Sequence, residues 1–513
     1  MFDDLHSVNL LLGSEIYKSQ GKSLGGSTQD YFSFNPDYVN LTTGSGIKTN
    51  YSSSYANSLA SFFGRLDYVF NSKYIFGVTL RRDGSSRFIG ENRWGWFPAA
   101  SAAWRISKET FMQDLPWLSD LKIRGSYCIL GNQLGISTDN PYTTFSGNTG
   151  NSYYAIDGSN NAIQLGFRQA RVGNPDAKWE KNINGTVGID AYLFNYKLSI
   201  MVEYYWKDTK DLLYNVTLPG TMGMASAPYM NVAHVKNRGF DASIENSGTI
   251  IGDLKYEATL TFTAYKNEIA YIADNINYFG GSTDYNALGY PMNSFYGYKI
   301  LGFWQSSEEI AAANALTGKT YQTDMKVGRY RFVDVNNDSQ ITAADRTILG
   351  DPHPDFTYGL NLTLTYRNFD LNTFFYGSQG NEIYASYLRY VDFYTFLEGG
   401  KSYDCLYNSW TPENRNAKLP IQENVTSFST TGFDNDYLVR NGSFLKLKDL
   451  TLGYTLPERV ASRIRASSLR AFIQASNILT LTNYEGRDPE VFGSDEATYI
   501  NHPMYQLGIN VAF

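Results

Sequence analysis

The segment "YGLNLTLTYRN" (358–368) sets Tyr358, Leu360, Leu362, Leu364 and Tyr366 on one side of an extended chain. Gly359, Asn361, Thr363 and Thr365 fall on the other. The same period of two runs through "KLSIMVEYYWKD" (197–208), "LKYEATLTFTAY" (254–265) and "KYIFGVTLRR" (73–82). Strands of soluble sandwiches average nearer five or six residues. Stripes of this length match the roughly 9–11 residues that a tilted strand needs to cross the apolar layer of a bilayer. Tyr358 and Tyr366 bracket three leucines, as aromatic girdles at the two interfaces require. The chain also closes on such a stripe, "MYQLGINVAF", with Tyr505, Leu507, Ile509, Val511 and Phe513 on one side.

Composition agrees with an all-β transmembrane antiparallel barrel. Aromatic residues make up 16% of the chain, which favours strands, and 45 glycines suit many turns. Charged residues are 18%, below the soluble average of about 25%. No run of about 18 apolar residues is present, so helical membrane spans are excluded. A net charge of −7, with no basic cluster interleaved with aromatics, argues against nucleic acid as a partner. Cys128 and Cys405 alone make no disulfide framework. The opening "MFDDLHSVNLLLGSEIYKSQ" has acids where a signal peptide carries basic residues, so no export signal is expected within it.

About fourteen strands are expected, at 6–19, 55–70, 73–88, 93–107, 119–132, 178–193, 197–214, 229–248, 254–270, 357–368, 370–381, 445–458, 469–479 and 504–513. The connections at 71–72, 194–196, 249–253 and 369 are tight. Those at 20–54, 133–177, 271–356, 382–444 and 480–503 are long. Long and short largely alternate, as in barrels with short periplasmic turns and long extracellular loops. In "SFLKLKDLTLGYTLPE" the apolar phase slips near Lys448–Asp449, from Leu445 and Leu447 to Leu450, Leu452, Tyr454 and Leu456. Either a β-bulge lies there, or Leu445 and Leu447 lie above the membrane.

Several segments together resemble the SusC/RagA family of TonB-dependent outer-membrane transporters. They are "FFGRLDYVFNSKYIFGVTLRRDGSSRF" with "RWGWFPAASAAWRIS", "LKIRGSYCILGNQ", "NPDAKWEKNINGTVGIDAYLFN", "HVKNRGFD", "DVNNDSQITAAD", "YLVRNGSFLKLKDLTLGYTLP" and "ASNILTLTNYEGRDPE". The resemblance implies a 22-stranded barrel, of which residues 1–513 correspond to the C-terminal fourteen strands. The family's N-terminal plug and TonB box are not matched in this segment. It further implies import of oligosaccharides (or peptides) across the bacterial outer membrane, with a SusD-like surface lipoprotein as lid and the TonB complex as energy source. The terminal Phe513 resembles the family's outer-membrane assembly signal.

One motif suggests a metal. "DVNNDSQITAAD" places Asp334, Asn336, Asp338, the Gln340 carbonyl and Asp345 at positions 1, 3, 5, 7 and 12 of an EF-hand-type loop, suiting a structural Ca²⁺. Ser339 replaces the glycine usual at position 6, and Asp345 is a shorter arm than glutamate. The bland alternative is a solvated, Asx-rich loop. No catalytic array is legible: His6, His234, His353 and His502 are isolated, so no enzyme activity and no required cofactor are expected. Cys128 shares strand parity with Lys122, Arg124 and Ser126 and reads as a packing residue on the lumenal side. Asp488 and Glu490 read as solvated loop charges. Segments 140–161, 282–304 and 484–503 mix aromatics with Asn, Asp and Ser, as glycan-binding loops do. Two rival readings stand beside the importer: a passive, self-contained 14-stranded channel, and a secreted β-rich glycan-binding or adhesive protein.

Overall fold

A computed structural model describes residues 5–147, 150, 152–155, 158, 163–215, 218–274, 276–394, 399–427, 432–496 and 501–513. Its main feature is a 14-stranded sheet whose strands are neighbours in chain order. They are β1 (His6–Ser27), β2 (Thr49–Phe70), β3 (Tyr74–Ser85), β4 (Trp94–Arg105), β5 (Leu118–Asn132), β6 (Glu180–Leu193) and β7 (Leu198–Asn215). Then come β8 (Tyr229–Ile251), β9 (Leu254–Ile272), β10 (Phe356–Tyr366), β11 (Phe369–Gln379), β12 (Phe444–Thr455), β13 (Ser468–Thr482) and β14 (Met504–Ala512). Pairings such as β1 with β2, β9 with β10 and β13 with β14 are antiparallel.

The turns are built from residues that tolerate positive φ. Asn71 and Ser72 sit at +50° and +53° between β2 and β3, and Gly252 at +53° between β8 and β9. That last turn is only 252–253, because β8 runs to Ile251 rather than ending at 248. The turn placed at 369 lies at 367–368, and Phe369 already belongs to β11. The largest correction is the first hairpin. β1 and β2 pair from His6↔Phe70 out to Ser27↔Thr49, so the loop is 28–48 and not 20–54. Beyond residue 19 the ribbon is mostly Gly, Ser and other polar residues, with only Leu24, Tyr51 and Tyr55 standing out, too few to make a stripe. Main-chain pairing continues regardless, with hydroxyl pairs Ser23–Ser53 and Ser27–Thr49 at 2.6 Å across it.

The slipped phase in β12 is a bulge. Leu447 lies opposite Phe375 and Asp449 opposite Phe374, leaving Lys448 as the extra residue. Leu445, Leu447, Leu450 and Leu452 thereby face the same side, opposite Gly377, Phe375, Thr373 and Leu371.

The outward stripes are bare. Tyr505, Leu507, Ile509 and Val511 of β14 are all exposed, Leu507 to 82%. Shielding four such side chains is worth roughly 1.5–3 kcal/mol each, and a whole domain is stable by only about 5–15 kcal/mol. With similar exposure at Ile123, Tyr127, Val187, Ile189, Leu260, Phe262 and Ile473, these strands need an apolar solvent. No helix among the described residues is long and apolar enough to cross a membrane.

Buried cores form where the connections pack, in one unit against Phe97 of β4 and Leu213 of β7. One unit (Met1–Ala102, Ser126–Asn184, Thr209–Val232) packs Phe88, Phe97, Ile136, Trp179 and Leu213 together. The other (Ala103–Gly125, Gly185–Asp208, Ala233–Phe513) holds two cores. One forms around Trp304, Tyr330, Phe332 and Leu419, and one around Phe295, Ile383, Tyr384 and Leu438. The stretch expected as loop 271–356 thus folds on itself, and includes α1 (Ser307–Thr317), whose N-terminus is capped by the Ser306 hydroxyl accepting from Glu309 N–H at 3.2 Å.

Candidate functional site

The strand face opposite the apolar stripes is polar and internally paired. Lys122 Nζ and Arg124 Nε on β5 reach Asp190 on β6 at 2.8 and 3.1 Å, and Arg124 also pairs with Glu203 on β7. Arg470 on β13 spans β12 to meet Asp370 on β11 through Nε at 2.9 Å. It does so over Gly453, where a Cβ would strike both partners. Cys128, on the same face as Lys122, accepts from Asn184 Nδ2 at 3.8 Å.

At the long-loop end of β12 stands an ionic cluster. Lys446, with a side chain only 3% exposed, binds Asp488 and reaches Glu490 Oε2 at 2.9 Å; Lys448 reaches the same carboxylate at 2.7 Å. Asn501 donates to Asp488 Oδ2 at 2.8 Å. Burial alone would raise the Asp488 carboxyl. The hydrogen bonds from Lys446 and the Glu490 N–H outweigh it and hold the pKa below the usual carboxylate value. Glu490 is lowered by the same contest, between burial and the two lysines. The expectation of solvated loop charges is therefore overturned. Segment 484–496 is strapped onto the polar face, because lysines 42 residues distant in sequence need counter-charges once buried.

Beside this strap three tyrosines each donate to a carboxylate: Tyr384 to Asp434, Tyr437 to Asp392 at 2.6 Å and Tyr484 to Asp495 at 2.7 Å. Burial, then the neighbouring carboxylates, push all three phenols far above their ordinary value, so they remain fixed donors. Arg389 Nη2 donates to the Tyr384 oxygen at 2.8 Å and pairs with Asp434. These residues wall a cavity of about 410 Å³ together with Thr283, Ser386, Tyr390, Ser494 and Glu496. A second cavity of about 370 Å³ lies among Tyr265, Tyr376, Phe444, Pro489 and Phe492. In loop 276–298, Tyr285 and Tyr296 stack at 3.9 Å and 6°, with Tyr278 4.7 Å beyond.

Of the three binding segments read from sequence, 282–304 and 484–496 are brought to this region. Residues 148–149, 151, 156–157, 159–161 and 497–500 of the segments lie outside the described residues. Tyr384, Arg389, Asp434 and Lys446 were not singled out in the sequence, since nothing local marks residues whose partners come from other loops.

The 334–345 loop is a set of Asx turns. Asp334 Oδ2 accepts from Ser339 N–H at 2.7 Å, Asn336 Oδ1 from Asp338 N–H at 2.9 Å and Asp338 Oδ1 from Gln340 N–H at 2.8 Å. Asn337 and Ser339 take φ of +61° and +62°, the bend that glycine would ease. Buried Asp345 caps the 3₁₀ turn Ala343–Asp345, accepting from Thr342 N–H at 2.7 Å and Val335 N–H at 3.0 Å. Among the described residues no three His, Cys, Asp or Glu side chains group around one metal-sized point.

The family model described as "TonB dependent receptor-like, beta-barrel" matches residues 3–478. TonB-dependent receptor P3 of Formosa agariphila is 32% identical over 99% of this chain and 51% of its own length. TonB-dependent receptor SusC of Bacteroides thetaiotaomicron is 28% identical over 89% of this chain and 44% of its own. Among solved structures, the RagAB peptide transporter superposes with a TM-score of 0.82 at 27% identity, covering all of this chain and 54% of that one. This chain spans about half the length of the curated relatives it matches. It belongs to the TonB-dependent receptor family of outer-membrane β-barrels.

Proposed function

We propose that this chain supplies barrel wall and extracellular loops to a TonB-dependent importer of oligosaccharides or peptides. In this reading a SusD-like surface lipoprotein forms the lid and the TonB complex supplies energy. The observation that carries it is likeness along the whole chain to the RagAB peptide transporter, at a TM-score of 0.82. The strands fit the role: an apolar face for lipid, and an opposite face whose charges are paired and can line a polar passage. The reading needs no covalent chemistry from the protein. Structural calcium belongs to the same proposal. Asp334, Asn336, Asp338, the Gln340 carbonyl and Asp345 are the residues that would hold it, and the ion would stiffen a loop already bent by Asx turns.

Deleting the gene for this chain is the test, with uptake of labelled oligosaccharides and peptides measured in the deleted strain. Uptake lost on deletion, restored by the gene, and lost again without TonB supports the importer. Ion conduction by the purified protein with TonB-independent uptake favours a passive channel.

A further inference from the structure

The turn between β12 and β13 carries positive charge that no described residue neutralises. Residues 457–467, "PERVASRIRAS", hold Arg459, Arg463 and Arg465 against a single acid, Glu458, in a chain whose net charge is −7. All three arginines are exposed. Among the described residues none of them is ion-paired, whether to Glu458 or to the terminal carboxylate of Phe513. Arg367, in the neighbouring turn, is by contrast answered by Asp253 at 3.2 Å. The turn is tied down at both ends: Leu456 N–H donates to the Leu469 carbonyl at 2.8 Å and Ser467 N–H to the Ala512 carbonyl at 2.7 Å. Ala466 N–H closes it on the Ala461 carbonyl at 3.1 Å. Arg465 sits at φ +58°, a left-handed conformation in which glycine is less strained. A cationic side chain is thus kept where the backbone favours none.

This turn lies at the end of the sheet shared with the short turns 252–253 and 367–368, the periplasmic end of a barrel. Next to it the lipid-facing side has a notch. Phe369, Tyr454, Ala471 and Ile509 stand in one row across β11, β12, β13 and β14, and Ala471 is the small side chain among them. The Phe369 and Tyr454 rings, with centroids 4.6 Å apart, form one wall and Ile509 the other. With Leu452 and Ile473 deeper in the membrane, they bound a groove of about 640 Å³. Ala471 is three residues into the sheet from Ser468, about 10 Å along the strand. A headgroup layer is roughly 5–7 Å deep, so a lipid with its phosphate at the arginines brings its acyl chains to the level of Ala471. Val460 and Ile464, exposed between the arginines, add apolar side chains to the same interface.

We propose that the turn 457–467 and the groove at Ala471 together form a binding site for an anionic glycerophospholipid of the inner leaflet. Its phosphate accepts charge-assisted hydrogen bonds from the guanidinium groups, whose planar fork matches phosphate oxygens. One acyl chain fills the notch. Cardiolipin, with two phosphates for three arginines, is the best match of charge. A zwitterionic headgroup brings its own ammonium to the arginines and is disfavoured. The site is on the lipid side of the wall, separate from the polar face.

The experiment is native mass spectrometry of the delipidated full-length transporter containing this chain. The probes are cardiolipin, phosphatidylglycerol and phosphatidylethanolamine with matched acyl chains. Both anionic lipids should bind roughly tenfold or more tightly than phosphatidylethanolamine, since each basic residue near the surface adds attraction. Arg459→Gln with Arg463→Gln and Arg465→Gln should cut that preference to less than about threefold. Arg459→Lys with Arg463→Lys and Arg465→Lys should keep most of it. Ala471→Trp, which fills the notch, should weaken cardiolipin binding roughly fivefold or more. Heat-modifiable gel mobility reports the fold of each variant. Equal affinity of the parent for phosphatidylglycerol and phosphatidylethanolamine overturns the site and requires no variant. A preference undiminished in the triple glutamine variant overturns it as well, and so does unchanged cardiolipin affinity in Ala471→Trp.

Discussion

Lys446 shows how a single residue organises a loop. Its ammonium is buried and neutralised by Asp488 and Glu490; removing it strands the buried Asp488 carboxylate, while Glu490 keeps Lys448. Breaking a buried pair from one side costs about 3–5 kcal/mol, whereas an apolar replacement of similar size recovers part of that in packing. Lys446→Ala should therefore free the 484–496 strap to limited proteolysis, and Lys446→Met should do so less. Equal resistance of Lys446→Ala and the parent would remove the strap's dependence on this lysine. The cluster also sets a pH dependence. Asp488 and Glu490 have pKa values lowered by folding, so their stabilisation is complete above the unfolded values near 3.9 and 4.3 and is lost as pH falls through the folded ones. Protease sensitivity of the strap should thus be flat from pH 7 to 5 and rise below about pH 4. A rise that begins near neutrality points to another group.

At the scale of elements, the faces of β10 make the sharpest contrast. Leu362 lies opposite Ala258 and Thr373, and its neighbour Thr363 faces the polar side, accepting from Asn372 Nδ2 at 2.8 Å. Leu362→Arg should cost roughly 2–4 kcal/mol near the membrane midplane, while Thr363→Arg meets a polar surface and should assemble. Heat-modifiable gel mobility of the two variants in the full-length transporter checks this, and identical behaviour would refute the face assignment. The 334–345 loop has its own test. Asp334→Ala with Asp338→Ala removes the acceptors of the turns at Ser339 and Gln340, and should abolish calcium heats without affecting barrel assembly. No heat from the intact protein at millimolar calcium would dispose of the ion. Strands such as β9, β10 and β14 were legible because one face must be apolar along its whole length. The bulge at Lys448 was legible as a break in that rule. The outer halves of β1 and β2 were not, because a ribbon with no continuous apolar stripe is held by main-chain bonds to which every side chain is nearly equivalent. Nor were the loop cores and the cavity beside Arg389, since Tyr384 meets Asp434, and Lys446 meets Asp488, only through contacts far apart in sequence.

At the scale of the whole molecule, the end strands of the sheet govern what these residues do by themselves. Among the described residues β1 and β14 each have one neighbour in the strand order, so one edge of each presents N–H and C=O groups without a strand partner. β1 is 22 residues long and β14 is 9, and neither is short enough, nor broken by proline, to discourage pairing. In water such an edge recruits other strands. In hydrocarbon each unsatisfied group costs several kcal/mol, so a bare edge is not tolerated and must be covered by a further strand. Joining these two edges directly would demand a narrower cylinder with a different tilt and shear. Residues 1–513 expressed by themselves behind an added signal peptide should therefore aggregate or be degraded, and supplying the remaining barrel strands in trans should raise the assembled fraction. Recovery of a heat-modifiable, ion-conducting monomer from residues 1–513 alone would show that fourteen strands close without help, and would return the passive channel to first place.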